Sequence, residues 1–296
     1  MQIVTHIGAN CTDGEKLIRS LMKNADRLAP RGIAVPGPGK YRALLRETLQ
    51  SLAGGTLGPD ARDTVLDAIL DEQDTTRLVM SNAAFICQPN RIFERGVFYQ
   101  LVRLKLRTLQ TLFPQDELEI FLALRNPATF IPAVWAQAAG TPMGGVSAED
   151  FMNGLAPESV LWSDVVERIQ EAVPDAALTV WCNEDTPLIW GELMRRMAGV
   201  PPLTPLAGEH DLLGSIMSAE GMARFQKYIE SHPPQSDAQA RRIMAAFLDK
   251  YAIPDALEEE VDMPGWDDYL VEDLTRQYEA DVLGIAQMPG VTFVLP

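Results

Sequence analysis

Apolar residues recur along the chain in two rhythms. Short apolar runs bounded by turn residues predict β-strands at Ile3–Ile7, at Gly32–Val35 before Pro36-Gly-Pro-Gly39, and at Arg77–Met80 before Ser81-Asn82. Further runs fall at Leu118–Leu124 before Arg125-Asn-Pro127, at Leu178–Cys182 before Asn183-Glu-Asp185, and at Val291–Leu295. Three- and four-residue spacing predicts helices over 14–29, 40–53, 61–71, 92–112, 128–138, 160–171 and 188–198. The first carries Leu17, Ile18, Leu21, Ala25 and Leu28 on one stripe. In the fourth, Arg103, Lys105 and Arg107 are expected on a solvated face, with the leucines between them turned inward. Strands alternating with helices imply right-handed crossovers and a mainly parallel sheet covered on both faces, an α/β fold.

After residue 200 the pattern turns to helices only, over 216–231, 236–251 and 267–286. The chain therefore reads as one α/β domain over 1–296, with a helical C-terminal lobe within it over 205–290. Pro- and Gly-rich stretches at 140–146 and 200–208 are expected as loops over the edge of the sheet.

Composition narrows the function. A chain of 296 residues that is 47% apolar can bury a large core. Its net charge of −16 argues against nucleic acid, which draws clustered Lys and Arg. The same charge handicaps a multiply anionic nucleotide unless local positive charge overrides it. No run approaches the roughly 18 apolar residues of a membrane span, and a basic-then-apolar export signal is lacking at the start, so a cytoplasmic protein is expected. Cys11, Cys87 and Cys182 follow no metal-ligand spacing, and the three histidines are dispersed, so no metal is expected.

In an open parallel sheet, ligands bind beyond the C-terminal ends of the strands. That selects Gly8–Gly14, Ser81–Phe85, Arg125–Pro127 and Asn183–Asp185. The first of these joins a strand to a helix through a glycine turn, where backbone N–H groups and the positive helix end converge on an anion. Gly8, Ala9, Asn10, Cys11, Thr12 and Gly14 are the cofactor-binding candidates there, although Gly8 reads equally as a tight turn. Arg125 joins them, because a basic residue at a helix N-terminus is poorly placed unless an anion or carboxylate meets it. Lys40 and Arg42, with Ser81 and Asn82, are candidates for substrate contact. No general base stands out; His6, Glu184 and Asp185 are nearest, and His6 reads also as a hydrogen-bonded sheet histidine.

The segment from His6-Ile7-Gly8 to Glu15 resembles the opening of P-loop sulfotransferases, which reads like His-Ile-Gly-x-x-Lys-Thr-Gly-Thr-Thr. Leu124-Arg-Asn-Pro127 is similar to the family's Arg-Asp-Pro-like segment, and Tyr278-Glu-Ala-Asp281 and Pro289-Gly-Val291 are also family-like. The resemblance implies a P-loop-like sheet and transfer of a sulfuryl group from 3′-phosphoadenosine 5′-phosphosulfate (PAPS) to a hydroxyl of a carbohydrate or small metabolite. The first loop would then hold the 5′ end of PAPS, or of its product PAP, and Arg125 the 3′-phosphate. The sequence departs from the family at several positions. Cys11 replaces the lysine, Asp13 and Glu15 replace Gly and Thr, Ala133 stands at the serine, and Ala83 and Ala84 stand where an acid is expected. Lys16 is no substitute, because Gly8 and Gly14 are one residue too far apart for a Walker-type loop. Two carboxylates in the loop repel phosphate unless their side chains point to solvent, and losing one donor to transition-state charge costs about 3–4 kcal/mol. The alternative is a catalytically inactive binding or assembly protein on the same scaffold, with a protein partner.

Overall fold

The computed structural model describes residues 1–53, 55, 58, 60–70, 74–140, 147–257 and 263–296. Its six strands are β1 (Gln2–His6), β2 (Ile33–Ala34), β3 (Arg77–Ser81), β4 (Glu117–Leu124), β5 (Ala177–Cys182) and β6 (Val291–Val294). They form one all-parallel sheet in the order β2-β3-β1-β4-β5-β6. The helices of its first half are α1 (Lys16–Met22), α2 (Ala25–Leu28), α3 (Pro38–Ala53), α4 (Ala61–Ile69), α5 (Val102–Leu112) and α6 (Pro127–Ala139). Then come α7 (Ala148–Met152), α8 (Trp162–Ala172), α9 (Thr186–Ala198), α10 (Asp211–Ile216), α11 (Ala219–Ser231), α12 (Asp237–Tyr251) and α13 (Asp268–Ile285).

Successive strand residues point to opposite faces, so each strand feeds two cores. On one face Val4, Val79, Phe121 and Trp181 meet Leu17 and Leu21 of α1 and Ile189, Trp190 and Leu193 of α9. On the other, Ile3, Leu78, Ile120 and Val180 meet the larger layer, with Leu45 of α3, Leu106 of α5, Ile131 of α6, Val166 of α8 and Ile285 of α13. Helices α10, α11 and α12 gather a small core of their own around Leu213, Met217, Phe225 and Met244. By contrast α13 packs on the sheet layer through Tyr278 and Ile285.

The strands lie where the apolar runs put them, but β2 shrinks to Ile33–Ala34. Several helices differ from expectation. The first begins at Lys16 and breaks at Asn24, a buried residue whose amide donates to the carbonyls of Ser20 and Ala207. The helix expected over 92–112 begins only at Val102. Before it, Arg95, Gly96 and Tyr99 adopt left-handed backbone, and Phe93, Phe98 and Tyr99 turn into an aromatic cluster with Phe130 and Trp162. Local helical spacing lost there to burial of large rings. The helix expected over 216–231 is α11, which starts at Ala219 behind its cap Ser218, and the short α10 before it was not expected. The loop expected at 140–146 lies outside the described residues from 141 onward.

Candidate functional site

Strand β1 does not end at His6 in effect, because its ladder with β4 runs on. Ala123 N–H donates to Gly8 O at 2.8 Å, and Ala9 N–H donates to Ala123 O at 3.1 Å. Gly8 has φ +128°, and a Cβ there would lie 2.9 Å from Ala83 O, so glycine lets this loop press against the one after β3. Beneath the loop, the Tyr99 hydroxyl donates to Asn10 Oδ1 at 2.7 Å and accepts from Asn10 N–H at 3.0 Å. Thr12 Oγ1 donates to Ala9 O at 2.8 Å. Cys11, Gly14 and Glu15 are left-handed, which turns the chain sharply into α1.

The loop's two carboxylates are both engaged inside the molecule. Asp13 is buried, and its Oδ2 accepts from Leu17 N–H at 3.1 Å, at the positive end of α1. Glu15 pairs with Arg42 and, at 3.5 Å, with Arg19. The Arg42 guanidinium holds the Glu15 carboxyl below the usual carboxylate range. Asp13 is thus turned away from solvent, whereas the Glu15 side chain is partly exposed. Lys16 is exposed.

Ser81 organises the end of β3. Its carbonyl accepts from Tyr41 hydroxyl at 2.7 Å and from Arg42 at 2.9 and 3.1 Å. Its hydroxyl meets His6 Nδ1 at 2.8 Å. His6 is fully buried, its Nε2 has no hydrogen-bond partner, and burial pushes its pKa down, partly opposed by the charge of Asp13. It sits behind Ser81 as a neutral sheet histidine.

Between this loop, the segment after β3 and helices α3 and α5 lies a cavity of about 430 Å³. Leu45, Leu49, Met80, Phe85 and Ile86 make its apolar walls. Arg42, Arg46, Arg91 and Lys105 surround it, and Glu15 is the one carboxylate among its described lining residues. Thr5, 2% exposed, lines it with a hydroxyl that has no partner. Lys105 was expected on a solvated face; it is instead half-buried on the cavity, and burial together with Arg91 lowers its pKa. Leu104 takes the outward position, 49% exposed. Arg107 is exposed and Leu106 buried as expected, so the departure is confined to Leu104 and Lys105, because Val102, Leu106 and Leu109 supply the buried stripe.

Arg125 reaches the first loop, donating to Cys11 O and, through Nε, to Thr129 Oγ1 at 3.2 Å. Cys11 Sγ donates to Gln137 Oε1 at 3.0 Å. Thr129 and Gln137 lie one turn to either side of Ala133 along α6. Asn126 caps α6 by accepting from Ala128 N–H, and its own N–H donates to Glu184 Oε1 at 2.8 Å. Tyr278 hydroxyl donates to Glu184 Oε2 at 3.0 Å. Asp185, half-buried, is raised to about 6 by desolvation and then by Glu184. Burial raises all three thiols, Cys87 and Cys182 to about 12.

The fold therefore brings Gly8–Gly14, Arg42, Ser81, Asn82 and Arg125 to one rim. Glu184 and Asp185 lie at the end of β5, two strands from β1. Lys40 is exposed and does not line the cavity. Sequence reasoning missed Tyr41, Tyr99, Arg46, Arg91 and Lys105. Only Lys105 left a signal, in the position of the apolar stripe of α5. Among the described residues no group of His, Cys, Asp and Glu is arranged to hold a metal, and no helix is long and apolar enough to cross a membrane.

No protein-family model matches the chain, and no curated protein matches it. Among solved structures it is similar to a sulfotransferase from Alicyclobacillus acidocaldarius, at 12% identity and a TM-score of 0.45, over 82% of this chain and 97% of that one.

Proposed function

We propose that this chain binds an acidic small molecule with an apolar body at the rim of its sheet, on a sulfotransferase-like scaffold whose first loop has given up the phosphosulfate donor. The observation that carries this reading is Asp13. Its carboxylate already occupies the positive end of α1, accepting the Leu17 N–H that an anion at this helix would otherwise attract. A phosphate brought to the same turn would meet that buried negative charge, with Cys11 in place of the lysine that would offset it. The cavity beside the loop has the opposite character. Its lining has four basic side chains and one carboxylate over apolar walls. Arg42, Arg46 and Arg91 are paired with Glu15, Glu47 and Glu94, and Lys105 with these guanidiniums suits a carboxylate or sulfate on a hydrocarbon or aryl body.

A second reading, sulfuryl transfer from PAPS to a hydroxyl of a carbohydrate or small metabolite, draws support from Arg125. Its guanidinium meets the backbone of the loop that the sequence resemblance assigns to the donor. Arg125 would then hold the 3′-phosphate, the Gly8–Gly14 loop the 5′ end, and Arg42, Ser81 and Asn82 would face the acceptor. His6, Glu184 and Asp185 remain the candidate bases.

Thermal unfolding with added ligand separates the two readings. A ligand at 100 times its dissociation constant stabilises by about 2.7 kcal/mol. The first reading expects no shift with millimolar PAP, and a shift with 4-phenylbutyrate that Arg42→Gln abolishes. A clear shift with PAP would overturn it in favour of the second.

A further inference from the structure

The helical lobe carries a groove of about 440 Å³ between α11 and α12. Its floor is a row of rings: Tyr228 lies 5.7 Å from Phe247, and Phe247 6.1 Å from Tyr251, centroid to centroid. Tyr228 is 40% exposed. The sides are cationic. Arg224, Lys227 and Lys250 line the groove, and among the described residues no carboxylate does. Arg224 is neutralised by Glu220 at 2.8 Å, one charge to one. Lys227 and Lys250 have no ion pair among the described residues, so the groove keeps two cations in excess on a chain of net charge −16. Glu230 of α11 lines a separate cavity on the α9 side of the lobe. Lys250 Nζ lies 5.4 Å from the Tyr251 centroid, so charge and ring are presented together.

A feature of matching character stands elsewhere on the molecule. Tyr269, in the first turn of α13, is 82% exposed, more than any other large apolar side chain among the described residues. Acids surround it: Asp268 is its neighbour in the chain, and Glu272 and Asp273 fall one turn on, on the same face of the helix. Arg276 takes Asp273 at 3.1 Å. Asp268 and Glu272, both exposed, have no ion pair among the described residues. Helix α13 packs in the larger core, on one face of the sheet, whereas α11 and α12 stand on Leu188 of α9, which covers the other.

We propose that the α11–α12 groove is a docking surface for a second copy of this chain, which seats its Tyr269, with Asp268 and Glu272, on the rings and lysines. The two surfaces complement each other in charge, and each carries an exposed tyrosine. Because the two halves differ, the contact is heterologous, and every copy added leaves one ring and one groove unfilled at the ends. One helix start in one groove is a small contact, of the size found in weak, reversible association. The inference does not involve the rim cavity and stands apart from the function proposed there.

Sedimentation velocity of the full chain over a concentration series tests it. The sedimentation coefficient is expected to rise with concentration at low ionic strength, and to rise less in about 1 M sodium chloride, where screening cuts the reach of charge to about 3 Å. Tyr269→Ala, and the double variant Lys227→Glu with Lys250→Glu, are each expected to stay monomeric with native circular dichroism. Mixed in equal amounts, they are expected to form a dimer that grows no further, because one keeps the groove and the other keeps the ring. Should Tyr269→Ala disturb α13, Glu272→Lys takes its place in the mixture. A wild type that stays monomeric at millimolar concentration, assembly unchanged in either variant, or a mixture that does not associate overturns the proposal.

Discussion

At the scale of single residues, the first loop turns on what its side chains do rather than on its backbone path. Asp13 takes over the role of an anion at α1, and Arg125 fastens the loop through the Cys11 carbonyl. Replacing Cys11 with Lys and Asp13 with Gly together removes the internal carboxylate and restores a cation. The double variant is expected to gain about 1–3 kcal/mol in PAP affinity, the size of a charge-assisted hydrogen bond, measured by calorimetry. Unchanged affinity would mean that the loop backbone itself has left the phosphate-binding shape. His6 carries a pH signature. Its native pKa lies below the ordinary 6.5, so as the pH falls below about 6.5 the unfolded chain takes up a proton that the native state refuses. Stability is therefore lost toward acid from this residue. Asp185 acts in the opposite sense: its native pKa of about 6, against 3.8 ordinarily, lets the folded state protonate first as the pH falls through that range. Urea unfolding of the wild type and His6→Gln at pH 7.5 and 5.5 isolates the histidine. The variant is expected to lose less stability between the two pH values, and an equal loss would show that His6 protonates freely in the native state.

At the scale of elements, several helices owe their ends to partners far along the chain. Leu161 precedes α8 and has no side chain able to cap it. Asp281 of α13 supplies the cap instead, accepting from Trp162 N–H at 2.7 Å and Ser163 N–H at 3.2 Å. Asp281→Ala is expected to cost about 1–2 kcal/mol in urea unfolding, as for loss of an N-cap, with faster amide exchange in the first turn of α8. A change confined to α13 would contradict that role. The same long-range logic explains the segment before α5. Its spacing reads as helix, but Tyr99 must turn under Asn10, 89 residues away, and its backbone becomes left-handed to do so. In the helical lobe, a Cβ on Gly221 would lie 2.3 Å from Tyr251 Cβ, so the packing of α11 on the end of α12 depends on a residue that weakens a helix in isolation.

At the scale of the molecule, the sheet is pinned at the end opposite the rim. Arg77, at the start of β3, donates to Glu119 of β4, to Gln2 of β1 and to the Met197 and Arg196 carbonyls that end α9. One buried guanidinium thus ties three strands to a helix of the smaller core. Arg77→Met leaves Glu119, Gln2 Oε1 and the Met197 carbonyl without this partner and is expected to cost about 3–5 kcal/mol, read from the urea midpoint. A cost below 1 kcal/mol would show that the sheet holds its register without this residue. The net charge of −16 is a property of the surface as a whole, and the lining of the rim cavity departs from it. Lys105 and three arginines line it against one carboxylate, Glu15.

The sequence by itself determined the alternation of strands and helices, the parallel sheet, and the rim where Gly8–Gly14, Ser81–Asn82 and Arg125 meet, because strand and helix periodicity and glycine turns are local properties read within a dozen residues. Only the tertiary structure decided that Asp13 turns inward to cap α1, that Lys105 faces a cavity while Leu104 faces water, and that Asp281 caps a helix 119 residues earlier. Those outcomes depend on which buried donor finds which acceptor and which face of a helix meets a large core. Both are settled by packing between segments distant in sequence, where the cost of an unpaired buried group or an exposed ring outweighs local preference.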